Sequence, residues 1–336
     1  MKIRFRGVVC ALLLCFAPAA HAADFEMPRR PVATYSIVAR DSVTGQLGVA
    51  VQSHWFSVGS LVPWAEAGVG AVATQSFVEP SYGPLGLELM RTGRAAGAAL
   101  EALTSTDPGQ AVRQVAMVDA EGRVAAHTGE LCIIAAGHEV GAQYSVQANL
   151  MENPTVPAAM ARAYEAAEGD LAARLLAALA AAEAEGGDIR GKQSAAVLVV
   201  SGEPTGHPWR DRLFDLRVED HPDPVTELQR LVTLQRAYLK LNEGDELWSK
   251  GEVENALAAY RAAGEIVPDA ATNGETAFWI GITLASSGEA GQAVPFLRRA
   301  YAQDPRWAEL VRRLPASNLL PGDEALIRTL VDGMKN

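Results

Sequence analysis

Between residues 34 and about 220 the chain never holds one hydrophobic period for long. Nine short apolar segments, at 34–40, 47–54, 69–75, 112–119, 123–127, 131–136, 143–149, 194–201 and 213–218, are mostly bounded by Gly or Asp turns. Segments this short read as strands, and "DAEG" at 119–122 joins two of them as a tight hairpin. Alanine-rich stretches lie between them. Helices are expected near 85–104 and across roughly 157–184, with a break at Gly169 and Asp170. Strands in antiparallel hairpins with helices inserted in pairs predict an α+β fold, two sheets face to face and covered by helices.

The strand pattern stops at "EDHPDPV" (219–225), where Pro222 and Pro224 open a long helix, and no strand is expected beyond it. An internal repeat takes over. Gly244, Leu247, Gly251, Ala256, Tyr260, Ala263 and Pro268 recur as Gly281, Leu284, Gly288, Ala293, Leu297, Ala300 and Pro305, each displaced by 37. Small residues at these positions suit two antiparallel helices in close approach, and the proline stops the second. The spacing resembles the tetratricopeptide repeat with three residues added in "PDAATNGE". Two repeats need caps, and the preceding helix and the tail at 321–335 are the candidates. The expected organisation is a sandwich unit at 34–224 and an all-α helical-repeat domain at 225–336.

The first 22 residues have the form of a signal peptide. Lys2, Arg4 and Arg6 precede an apolar stretch, Val8 to Ala17, and Ala20-His21-Ala22 supplies the small-x-small cleavage pattern. About ten apolar residues fall short of the roughly 20 that span a bilayer, and neither Cys10 nor Cys15 follows the small residue of a lipoprotein site. The reading is a periplasmic or secreted protein, cut after Ala22, without a membrane anchor. Cys132, in apolar "ELCIIAAG", is then the remaining thiol and is expected to be buried. Of 29 Lys and Arg, three lie in the signal segment; the other 26 face 40 Asp and Glu, a net charge of −14. So acidic a surface repels phosphate backbones, which argues against nucleic-acid partners.

Five motifs in order, "TYSIVARD…TGQLGVAVQS", "GVGAVATQSF…YGPLGLELM", "AAHTG", "QANLM" and "GGDIRGKQSAA", resemble one bacterial family over about residues 34–230. That family is known as a domain of unknown function and is grouped with the N-terminal nucleophile (Ntn) hydrolases. The resemblance implies a four-layer αββα sandwich and brings no substrate. In the wider superfamily the nucleophile opens the first strand, which here is Thr34, with Ser36 one pleat away on the same face. A threonine with a free α-amine carries its own base. Residues 23–33 ("ADFEMPRRPVA") still precede it as an extension or propeptide, so a cut between Ala33 and Thr34 is required. Without that cut, Thr34 is an ordinary strand threonine.

"GGDIRGKQSAA" (186–196) is the densest polar cluster. Arg190 offers a planar fork for a carboxylate and Asp188 an acceptor for an amine, with Gln193 and Ser194 as uncharged donors, a set suited to amino-acid-like ligands. On this reading Arg190→Lys loses ligand and less than about 1 kcal/mol of stability. The bland reading is an Asp–Arg pair fixing a helix-to-strand loop. Asn149 ends "YSVQAN" and is either an oxyanion donor or a turn cap. His54 and His127 sit at strand ends as candidate proton carriers or structural residues. No zinc-like spacing, phosphate loop or dinucleotide fingerprint occurs, so no metal and no cofactor is expected. Two functions follow. The first is an exported amidohydrolase acting on a small amide, amino-acid-like or peptide bond. The second is a non-catalytic binding protein whose helical repeats take a protein or peptide partner.

Overall fold

The computed structural model describes residues 31, 32 and 34–336. The signal segment, and all of the 23–33 extension except Pro31 and Val32, lie outside the described residues. In chain order the elements are β1 (Thr34–Arg40), β2 (Leu47–Ser53), β3 (Pro63–Glu66), β4 (Gly70–Ser76), α1 (Tyr82–Arg91), α2 (Ala96–Thr104), β5 (Arg113–Asp119), β6 (Val124–Thr128), β7 (Gly137–Gly141) and β8 (Tyr144–Ala148). Then come α3 (Val156–Ala166), α4 (Leu171–Ala184), β9 (Ser194–Val200), α5 (Pro208–Asp211), β10 (Arg212–Val218), α6 (Pro224–Ser249), α7 (Val253–Ile266), α8 (Glu275–Ser286), α9 (Ala290–Gln303), α10 (Trp307–Arg313) and α11 (Glu324–Lys335).

The strands form two antiparallel sheets. One has the order β10-β9-β2-β1-β8-β7, the other β3-β4-β5-β6. Alternation along β1 decides what each face meets. Tyr35, Ile37 and Ala39 point outward, under Leu171, Leu175 and Leu179 of α4 and Met160 and Tyr164 of α3. Val38 points inward with Val49 and Val51, meeting Ala71, Ala73, Ala116 and Val118 of the other sheet. That second sheet turns Val72, Val115 and Met117 to α1 and α2, against Tyr82, Leu87, Met90 and Leu100. The interior is thus built from one face of each sheet, closed on both outer sides by helices.

Local chemistry sets the turns. Asp41 Oδ1 accepts from the N–H groups of Val43 and Thr44 and from the Thr44 hydroxyl, closing the β1–β2 hairpin. Asp119 Oδ1 does the same for Glu121 and Arg123, with Gly122 at φ 82° completing the "DAEG" turn. Gly169 at φ 100° ends α3, and Asp170 caps α4 by accepting from Ala173 N at 2.8 Å. Three expectations change. Segment 131–136 is a loop that crosses from one sheet to the other, with Leu131 and Ile134 60% and 86% exposed, and the strand follows at β7. The helix expected over 85–104 is two helices, parted by Gly93 at φ 89°. Strand β3 goes unpredicted because it is a four-residue edge opened by a proline.

Beyond β10 every described element is helical. The long α6 serves both parts of the chain: Val225, Leu228 and Val232 join the core under the six-stranded sheet, whereas Ala237 and Leu241 join the core of the helical region. The polar anchor between them is Arg236, bonded through two nitrogens to Asp170 at 2.8 and 2.7 Å. The residues related by the 37-residue offset sit where α6 meets α7 and α8 meets α9. A Cβ on Gly244 would stand 2.3 Å from the Tyr260 ring, and one on Gly281 would stand 2.6 Å from Leu297. The segment "PDAATNGE" holds a 3₁₀ turn, Asp269–Thr272, followed by two left-handed residues, Asn273 and Gly274. Gly244→Ala is therefore expected to cost about 1–3 kcal/mol by overpacking, read from the midpoint of urea unfolding. No helix among the described residues is long and apolar enough to cross a membrane.

Candidate functional site

At one end of the inter-sheet core the apolar pattern gives way to amides and hydroxyls. Thr34, Ser36, Gln75, Gln114, Gln147 and Asn149 are each 0% exposed. Buried polar groups of this kind are tolerated when they satisfy each other. Ser36 donates its hydroxyl to Gln75 Oε1 at 2.6 Å and accepts from Gln147 Nε2 at 2.5 Å. Gln75 Nε2 donates to Gln114 Oε1 at 2.7 Å, and Asn149 Nδ2 donates to the same oxygen at 2.9 Å. Gln114 Nε2 in turn faces the carbonyls of Ala148 and Gly137 and the Thr128 hydroxyl, at 2.9, 3.1 and 3.0 Å. Thr128 Oγ1 lies 2.8 Å from His138 Nδ1, so the chain of bonds runs from the buried serine to a surface imidazole.

Thr34 stands at the edge of this cluster. Its carbonyl accepts from Asn149 N at 3.1 Å, Gln75 Nε2 at 3.2 Å and Asn149 Nδ2 at 3.4 Å. Its hydroxyl turns the other way, donating to Val32 O at 2.6 Å. Val32 is itself 1% exposed, belongs to the inter-sheet core and forms a bridge with Ser76 through two backbone bonds of 2.7 and 3.1 Å. Val32 therefore occupies the mouth of the cluster. Two non-glycine residues hold left-handed backbone there, Ser76 at φ 69° and Leu150 at φ 58°, a costly geometry that packing must sustain.

The Asp188–Arg190 pair lies beside this mouth and is closed on itself. The Arg190 guanidinium meets Asp188 Oδ1 through Nε at 3.0 Å and Oδ2 through Nη2 at 2.8 Å, while Arg190 N also donates to Oδ1. Asp188, whose side chain is fully buried, accepts a further bond from His54 N at 3.1 Å. Arg190 Nη1 reaches Pro31 O at 3.4 Å, so the fork also touches the segment before Thr34. Because Arg190 balances a buried carboxylate, the sequence expectation for Arg190→Lys changes. The variant is expected to lose about 1–3 kcal/mol of stability, seen as a lowered denaturation midpoint, because one charged hydrogen bond to Asp188 disappears.

Of the residues singled out in the sequence, Thr34, Ser36 and Asn149 come together, and Asp188 and Arg190 border them. The others stand apart. The His54 ring is exposed, and its inward contribution is the backbone N–H to Asp188. Gln193 Nε2 bonds Asp220 at 3.2 Å, and the Ser194 hydroxyl ties Trp55 O to Val58 N, fixing a loop. His127 Nε2 meets Gln110 O at 2.8 Å. Cys132 is buried next to Ser76; burial pushes its thiol up, against the opposing hydrogen bonds from Ser76 and Gly129. Burial, and then the neighbouring His127, hold His138 below the usual imidazole range. On the helix-facing side, Tyr35 bonds Glu183, and burial followed by that carboxylate raises its hydroxyl well above the ordinary range. Glu183 also pairs with Lys192 at 2.8 Å and raises it. Sequence reading missed Gln75, Gln114 and Gln147. Their signal was one glutamine in each of three largely apolar strands, a residue type that β-strands seldom bury. Among the described residues no three His, Cys, Asp or Glu side chains gather as a metal would require.

Fold and site together define an α+β protein of two packed antiparallel sheets with a helical C-terminal part and a buried amide–hydroxyl cluster at the head of its first strand. The chain belongs to a family of unknown function, DUF1028, whose model matches residues 34–228. It is similar to the crystal structure of protein SPO2555 from Silicibacter pomeroyi, also placed in DUF1028. Their TM-score is 0.53 at 33% sequence identity, covering 59% of this chain and 84% of that one. No protein of curated function matches it.

Proposed function

We propose that this chain is an exported amidohydrolase of the N-terminal nucleophile type, with Thr34 as nucleophile once residues before it are removed. The observation that carries this reading is the position of Thr34. It heads a central strand at the seam of the two sheets, its carbonyl is held by three donors, and its hydroxyl is directed back along the preceding segment. The family match also begins at this residue. An αββα sandwich of Ntn type accommodates the layers described above.

The chemistry then runs through the freed terminus. The α-amine takes the proton of Thr34 Oγ1 as that oxygen bonds to the amide carbon, and the tetrahedral intermediate collapses as the ammonium protonates the departing amine. Water, deprotonated by the same amine, cleaves the ester and restores the hydroxyl. For Asn149 Nδ2 to serve the oxyanion, it must release the bond it now makes to the Thr34 carbonyl and turn toward the hydroxyl side. Once the segment leaves, the carbonyl that Arg190 Nη1 holds leaves with it, and a carbonyl or carboxylate of an amino-acid-like substrate takes that place. Ser36 and the glutamines keep the strand ends in register.

The test compares a chain beginning at Thr34 with one that retains Ala33, each treated with an electrophilic β-lactone and examined by mass spectrometry. Acylation at Thr34 in the first, slower by about 10²–10⁴ in the second, is expected. Equal labelling, or none in either, refutes the reading. One observation favours a second reading, a periplasmic binding protein: Thr34 is wholly buried beneath Val32, as it would stay if the extension were never removed. In that case the tetratricopeptide-like helices would carry the function by taking a protein or peptide partner.

A further inference from the structure

The helical region contains a groove of about 760 Å³ that the site at Thr34 does not involve. It lies between α6, α8 and the turn that follows α10, a volume in the range, roughly 300–1,000 Å³, of small-ligand sites. Trp248 and Trp279 form one wall, their ring centroids 6.3 Å apart, and Pro315, Leu319 and Pro321 contribute another. Asp245 is the single charged residue in the lining.

The carboxylate of Asp245 is held in a fixed orientation. Gly244 lets the Tyr260 ring lie directly on α6, and the Tyr260 hydroxyl, one residue along, donates to Asp245 Oδ1 at 2.7 Å. Among the described residues Oδ2 takes no hydrogen bond. The equivalent pair in the second repeat, Gly281 with Leu297, has no hydroxyl, so this oriented acid is particular to the first. An indole wall presents negative π-faces, a carboxylate adds full charge, and no basic side chain lines the groove to neutralise either. The surrounding chain carries 40 acidic against 29 basic residues.

We propose that this groove binds a basic side chain, the ammonium or guanidinium of a lysine- or arginine-bearing peptide, between the two tryptophans and Asp245. The test uses the full chain and calorimetric titration with acetylated, amidated pentapeptides, Gly-Gly-Xaa-Gly-Gly, in which Xaa is Lys, Arg, Leu or Glu. The Lys and Arg peptides are expected to bind at about millimolar concentration or below, at least about tenfold tighter than the Leu peptide. Asp245→Asn, whose fold is checked by circular dichroism, is expected to weaken them about tenfold, as is added salt. Glu130→Gln, an exposed change remote from the helices, should leave them unaltered. Equal binding of the Leu peptide, indifference to Asp245→Asn, or no binding of the basic peptides up to about 10 mM overturns the proposal. So does capture of an uncharged oligosaccharide in their place.

Discussion

Thr34→Ala is expected to abolish amide hydrolysis and, if removal of the preceding residues is self-catalysed, to leave a mature chain about eleven residues heavier than wild type. The excess corresponds to 23–33, the stretch between the expected signal cut after Ala22 and Thr34. Both losses share one cause. In the proposed mechanism the hydroxyl oxygen forms the bond to carbon in processing, by attack on the Ala33 carbonyl and an N-to-O shift, and again in turnover. Without it neither ester can form. Thr34→Ser keeps the oxygen and should retain processing and measurable activity. Intact mass and a turnover assay on the three chains read both effects. If Thr34→Ala is processed like wild type, an external protease makes the cut. If it also hydrolyses as wild type does, Thr34 is not the nucleophile.

Gln114→Met is expected to destabilise the fold by about 2–5 kcal/mol although it keeps the side-chain volume. Gln114 Oε1 accepts from Gln75 and Asn149, and its Nε2 serves Ala148 O, Gly137 O and Thr128. Methionine removes that acceptor and donor together, and buried groups left without partners cost roughly 1–3 kcal/mol each. Some partners survive: Gln75 Nε2 and Asn149 Nδ2 still reach Thr34 O, which limits the loss. Urea unfolding of Gln114→Met beside a surface control gives the number. A change under about 0.5 kcal/mol would mean that the amide cluster is not a cooperative unit.

Much of this architecture was legible in the chain because its strands are short, largely apolar segments bounded mostly by Gly or Asp turns. In β1, Tyr35, Ile37 and Ala39 alternate with Thr34, Ser36 and Val38, and burial of both faces leaves only one way to layer the sheets. The 37-residue offset was legible because Gly244 and Gly281 occupy contacts that admit no Cβ. Loop 131–136 was not, since Cys132 is buried as a strand residue would be while Ile134 points to solvent; hydropathy does not distinguish the two. The expected boundary at 225 cuts α6 near its start, because Val225, Leu228 and Val232 pack on the six-stranded sheet and only later residues belong to the helical core. Proline marked where the helix begins but not which body it serves.

At the site the sequence singled out Thr34, Ser36 and Asn149, which the structure brings together, but not the three glutamines that bond to them. Asp188 and Arg190 are conspicuous in sequence, yet they spend their fork on each other. Gln75, Gln114 and Gln147 are inconspicuous singly; the pairing of β4 with β5 and of β1 with β8, and the packing of one sheet on the other, bring them together. His54 was singled out for its ring and contributes its backbone, a distinction invisible before the fold is known.

Everything catalytic in this account depends on a free α-amine at Thr34, because an amide nitrogen has no lone pair available to take the hydroxyl proton. N-terminal sequencing of the protein recovered from its native cells tests that directly. A start at Thr34 is expected, with Val32 gone from the inter-sheet core. A start at Ala23, with no Thr34 terminus detectable, would contradict it and leave the binding-protein reading in its place.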